Sequence, residues 1–232
     1  MPRVPTPTGV KIKALEKQRE DRTDLMHPGT GIAWEDRGRL GAIRAFVKTA
    51  GGVMARPGGT LWQMRRADTR ADASGFVWIV GVLCGLGVAV QAAWARFMQN
   101  AEMAPAQIAE WVIFVGCATI APWLLAKVGS RLYASIAAPG LRNRVSPSLM
   151  DSIFFYIAAP AVFMLVPIAG PWIALVGTVL MVLIAPRLRL KLTMPEGTIA
   201  GALASATMGG IAIGGYLLLA WVLPRMLGVW LG

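Results

Sequence analysis

The sequence predicts an all-α integral membrane protein: a five-span helical bundle with a cytoplasmic amino-terminal arm and an interfacial amphipathic helix. Three observations carry this. Charged residues are 15% of the 232-residue chain and hydrophobic ones 56%, where a soluble domain has about 25% and about 45–50%. Long charge-free runs recur after residue 75. Basic residues alternate between the segments that join those runs. Mean hydropathy is +0.57. This balance excludes an ordinary soluble enzyme and excludes wholesale disorder, which needs low hydrophobicity.

The net charge of +11 is concentrated at one end. Residues 1–75 hold 14 of the 23 Lys and Arg and 8 of the 12 Asp and Glu. Residues 1–40 read as a largely extended or disordered arm, broken by Pro2, Pro5, Pro7 and Pro28, with mixed charges from Lys11 to Asp24. It is either a flexible tail or a segment that orders on a partner. Residues 1–30 lack the apolar run of a signal peptide, so attachment is expected to come from the spans.

Residues 41–75 form the interfacial segment. Ile43, Phe46, Val47, Ala50, Val53 and Met54 recur at helical spacing, with Arg44 and Lys48 off that stripe. Pro57-Gly58-Gly59 ends the helix. Beside a membrane, such a stripe lies in the headgroup plane or packs on the bundle. Arg56, Trp62, Arg65, Arg66 and Arg70 are the candidate contacts to the membrane surface or a partner. Each basic residue near anionic headgroups contributes about 1 kcal/mol. The same cluster serves equally as a topology anchor or an acid-seeking surface.

Residues 76–232 form the bundle. The expected spans are about 76–95, 108–126, 153–169, 172–186 and 198–223. The first is 20 residues without a charge, enough for about 30 Å of hydrocarbon. The charge-free run 152–186 is too long for one crossing, and Gly170-Pro171 divides it. Two crossings and a re-entrant hairpin both satisfy that run. Trp78, Trp94, Trp111, Trp123, Trp172 and Trp221 fall near span edges, where the indole sits half wet. Successive extramembrane segments carry 14, 1, 4, 0, 3 and 1 basic residues. The positive-inside rule therefore puts the amino terminus in the cytoplasm and the carboxyl terminus outside.

Chemistry is sparse in these spans. His27, in the arm, is the one histidine, so no imidazole ligand is expected inside the bundle. Cys84 and Cys117 read as small buried hydrophobes on separate spans. Glu110 and Asp151 sit at span starts, where a helix N-terminus favours negative charge. A coupled transporter wants protonatable groups near mid-membrane, and the apolar cores hold none. A passive pore would have to use Gln91, Thr119, Tyr156 or Thr178. No catalytic residue, metal ligand or cofactor is expected.

Small residues repeat at four-residue intervals. Gly81 and Gly85 do so in the first span, and Gly201, Ala206, Gly210 and Gly214 populate such faces in the last. These faces permit close helix approach, within the chain or to another subunit. The expected partners are the lipid bilayer and other membrane-protein subunits or copies of this chain, and no nucleic acid.

The arrangement resembles the Yip domain family of multispan proteins. The likeness rests on the polar amino terminus with five spans and the pre-membrane stretch Val53-Met54-Ala55-Arg56-Pro57-Gly58-Gly59-Thr60-Leu61-Trp62. It also rests on the hairpin from Ile153-Phe154-Phe155-Tyr156 through Gly170-Pro171-Trp172 and on the small-residue last span after a short basic loop. It covers about residues 43–223. The Asp-Leu-Tyr-Gly-Pro stretch of the eukaryotic members is absent, so GTPase binding is not carried over. The resemblance implies a non-enzymatic protein that shapes membranes or associates with other membrane proteins. Seventeen Arg against six Lys, with many Ala and Gly, suggests a GC-rich bacterium and hence an inner-membrane location. The reading is a scaffold or accessory subunit docking through its basic amino-terminal segment. The alternatives are a small solute channel or facilitator and a membrane-shaping or trafficking factor.

Overall fold

The computed structural model describes residues 31–64, 69–99, 105–137 and 146–231. The expected arm over residues 1–30 lies outside the described residues, as do Arg65 and Arg66. In chain order the helices are α1 (Arg37–Leu40), α2 (Ala42–Ala55), α3 (Pro57–Trp62), α4 (Thr69–Gln99) and α5 (Pro105–Ile136). They continue with α6 (Pro147–Ile157), a 3₁₀ segment (Ala159–Leu165), α7 (Gly170–Leu190) and α8 (Met194–Leu231). No strand occurs among the described residues.

Five stretches are long and apolar enough to cross a membrane: Asp72–Met98, Gln107–Ile136, Pro147–Leu165, Gly170–Leu190 and Met194–Leu218. The chain is a multispan helical membrane protein, as its composition predicts. The first, second and fourth stretches outrun their charge-free cores. The expected edges stop at charges, but helical hydrogen bonding does not. Lys127 and Arg131 lie inside α5, and Arg187 and Arg189 inside α7. Arg131 is exposed, whereas Lys127 is paired with the buried Asp151 and Arg189 is buried against the Trp62 ring. The fourth span thus has 21 residues rather than 15, about 31 Å at 1.5 Å per residue.

The turn between the third and fourth spans comes earlier than Gly170-Pro171 alone suggests. Pro160 cannot donate a backbone hydrogen bond, and the helix tightens there to i→i+3 bonds such as Ala161 N–H to Ala158 O at 2.9 Å. Ile168 then takes φ 65°, and α7 starts at Gly170. A Cβ on Gly170 would lie 2.1 Å from the Phe163 carbonyl oxygen, so only glycine fits this close return.

The third span is the core of the bundle. Every residue from Met150 to Pro160 is buried, on all faces of the helix. A helix hydrophobic all round belongs inside. It and the 3₁₀ segment touch α2, α4, α5 and α7. Around it, α4 packs on α5, α5 on α8, and α8 on α7. Ser146 caps α6 by accepting from the Leu149 N–H at 3.2 Å, with Pro147 in the first turn.

One expectation for the amino-terminal region needs correction. Residues 31–40 are not extended arm: they form a turn and α1, with Ile32 1% and Trp34 4% exposed. The composition there is polar, but one indole supplies enough apolar surface to anchor the stretch. α2 takes the second of the two placements open to its stripe. It packs on the bundle, and through Ala45, Thr49, Ala50 and Val53 rather than through the whole stripe. Phe46 and Met54 are partly buried, while Ile43 is 83% and Val47 62% exposed. Small side chains win the contact because they let α2 come close to the bundle.

Candidate functional site

The amino-terminal segment is latched to the basic end of the bundle around Trp34. Its backbone N–H donates to Thr49 Oγ1 of α2 at 2.8 Å. Its indole Nε1 donates to the Asp72 carbonyl of α4 at 2.7 Å. The Arg37 guanidinium lies 5.1 Å from the Trp34 ring and is paired with Asp72 Oδ1 at 2.5 Å. Phe46 and Phe76 meet Trp34 at 6.3 and 6.0 Å, and Phe76 meets Tyr156 of α6 at 5.1 Å. The pair is about one-third exposed, so screening keeps its own contribution small. Burial of the rings does most of the latching.

A second polar knot joins α5 to α6. Lys127 Nζ donates to Asp151 Oδ2 at 2.5 Å, and Ser130 Oγ donates to Oδ1 at 2.6 Å. Asp151 is 1% exposed and Lys127 17%. Asp151 therefore does more than complement a helix N-terminus. Its carboxylate is taken out of water and compensated by the Lys127 ammonium and the Ser130 hydroxyl of the preceding span, and that ammonium lies 5.4 Å from the Phe155 ring. The sequence held the signal: Lys127 ends the second span and Asp151 starts the third, so both fall at one end. Trp34 had no such signal, because nothing local marks an indole in a polar stretch as buried.

The surface candidates divide. Arg56 is exposed between α2 and α3. Arg70 lies in the first turn of α4. Trp62 is also at the surface, 36% exposed, and packs against the basic end of α7, with Arg189 at 4.8 Å and Lys191 at 5.3 Å from its ring. Cations over an indole face are attracted by its quadrupole. Gly58 of α3 sets this up, since its Cβ position is 3.0 Å from Leu188 of α7.

The small-residue faces divide too. Gly81 faces the Thr119 backbone, where a Cβ would sit 2.1 Å from its oxygen. Gly85 faces Thr119 Oγ1 and the Val115 carbonyl, and Gly201 faces Leu183. Ala206, Gly210 and Gly214 are exposed, and a Cβ on either glycine would meet nothing within 4 Å.

The candidate pore residues do not share a path. Gln91 Nε2 donates to the Met164 carbonyl at 2.8 Å, Thr119 Oγ1 donates to the Val115 carbonyl at 2.8 Å, and Tyr156 is buried in the aromatic cluster. Only Thr178 lines a chamber, an apolar one of about 210 Å³ among the spans. Among the described residues, no three His, Cys, Asp or Glu side chains come together as metal ligands would. Compared with known protein families, curated proteins and solved structures, the chain matches none.

Proposed function

We propose that this chain is a non-enzymatic scaffold or accessory subunit of a membrane, whose amino-terminal segment seats on the anionic cytoplasmic leaflet. The division of α2 into three faces carries the reading. At 3.6 residues per turn, Ala45, Thr49 and Val53 take the bundle side. Ile43 and Val47 lie beside that contact, and exposed Arg44 and Lys48 lie beyond them. α2 and α3 carry no acidic residue. A helix held against a bundle at this height gives its apolar flank to lipid and its cations to headgroups. The basic tally of the loops supports the cytoplasmic placement. The resemblance to the Yip domain family implies the same broad class and supports membrane shaping as a variant of this role.

The uncovered face of Ala206, Gly210 and Gly214 supports the accessory-subunit part of the reading, since small residues admit another membrane helix closely. Truncation tests of the arm should stop before residue 31, because Ile32 and Trp34 belong to the core.

The seating is tested by replacing Cys84 and Cys117 with alanine, then labelling I43C and, separately, R44C with an environment-sensitive fluorophore in vesicles containing phosphatidylglycerol. A label at position 43 should be quenched by spin-labelled acyl chains, and one at 44 should be quenched only by a headgroup quencher. Water-like emission at 43, indifferent to lipid quenchers, would reject the seating and turn α2 toward a protein partner.

A further inference from the structure

The fourth and fifth spans are closed at the basic end and apart beyond it. A Cβ on Gly197 would lie 2.6 Å from the Arg187 side chain, and one on Gly201 would lie 2.9 Å from the Leu183 backbone. Two turns further along α8, a Cβ on Gly209 would meet nothing within 4 Å. The chamber of about 210 Å³ begins where the helices part and is lined by all five spans. Of its lining residues only Leu175 of α7 and Ala212 of α8 are exposed, so its mouth lies between these two spans and faces lipid.

From this geometry we propose that the chamber is a lateral binding site for one acyl chain of a membrane phospholipid, entering between α7 and α8. Three arguments select that occupant. The lining offers a ligand only the hydroxyls of Thr178 and Ser205 and the Cys84 thiol, too little to replace the hydration of an ion or polar solute. A partner helix needs a groove open along its length, whereas only Leu175 and Ala212 of this lining are exposed. A cavity of about 150 Å³ already takes up an apolar guest such as benzene, and acyl chains are the solvent at this mouth. The lining also runs up to Pro171, one residue before the 70%-exposed Trp172. An indole there marks the headgroup level of the leaflet opposite the basic end, so a lipid can keep its head at that surface while one tail enters.

This inference does not depend on the seating of α2. The test is photolabelling of the full chain in phosphatidylglycerol and phosphatidylethanolamine vesicles whose phospholipid carries a diazirine in one acyl chain. Adducts are expected on the inward-facing Met164 and Met208 as well as on the lipid-facing Leu180. The variant A212F, which blocks the mouth from an exposed position, should lower the Met164 and Met208 labelling about tenfold, the effect of losing roughly two buried methylenes. Labelling of Leu180 should not change, and it reports that the variant is folded and inserted. T178F, which closes the opposite side of the mouth, should act alike. Labelling confined to lipid-facing residues in the unaltered chain would overturn the proposal. So would inward labelling that both variants leave intact.

Discussion

Gly81 and Gly85 of α4, and Gly210 and Gly214 of α8, are the same motif: glycine four residues apart on one helix face. Their surroundings are opposite. The first pair is pressed on the α5 backbone, and the second has empty space over it. The difference comes from the neighbours, not the helices. α4 runs between α5 and the 3₁₀ segment, with contacts to both along its length. Gly210 and Gly214 lie on the side of α8 turned away from Gly201, which faces α7, while Tyr216 reaches Phe114 of α5 at 6.0 Å. A small-residue face permits close packing, and topology decides whether the fold itself uses it.

The largest effect is expected at the ion pair that ties α5 to α6. Asp151→Ala leaves the Lys127 ammonium largely buried without its carboxylate and should cost about 3–5 kcal/mol. Thermal unfolding in detergent reads this, and the charge-free double variant K127M/D151L should recover most of the loss. Recovery no better than either single variant would make the pair more than a structural tie.

Next comes the closed glycine face. Gly81→Leu must push the α5 backbone aside, at about 3 kcal/mol, the upper end for overpacking. A smaller effect arises at the latch. Trp34→Phe keeps an aromatic ring but removes the donor to the Asp72 carbonyl, about 1 kcal/mol. It should raise the rate at which protease cuts residues 31–64 before it changes the melting of the spans. The open face should respond least: Gly210→Leu should shift stability by about 0.5 kcal/mol or less. A large loss there would mean the face is covered within the chain.

Much of this architecture is legible in the sequence because lipid leaves few solutions. A span must be long, apolar and helical, so hydropathy marks the apolar runs, and Gly170-Pro171 divides the 152–186 run to bring the count to five. Pairings were less legible. Asp151 and Lys127 are 24 residues apart, and their contact depends on how α5 and α6 cross. Trp34 reaches Asp72 over 38 residues, from a stretch whose local composition is polar. The α2 stripe shows the limit of periodicity. Its spacing identified an amphipathic helix, but the bundle took the small residues on one flank and left Ile43 and Val47 outside. The same holds for the glycines, where spacing marks the face and the packing partner is set elsewhere.

The central claim is that the closed face builds this chain and the open face serves another. Native mass determination after gentle detergent extraction tests it, comparing the unaltered chain with the double variant G210L/G214L. The account predicts a stoichiometric foreign subunit with the unaltered chain. It also predicts loss of that subunit from a variant that melts at the same temperature. One chain or a few identical chains, with the same mass in both samples, would contradict it.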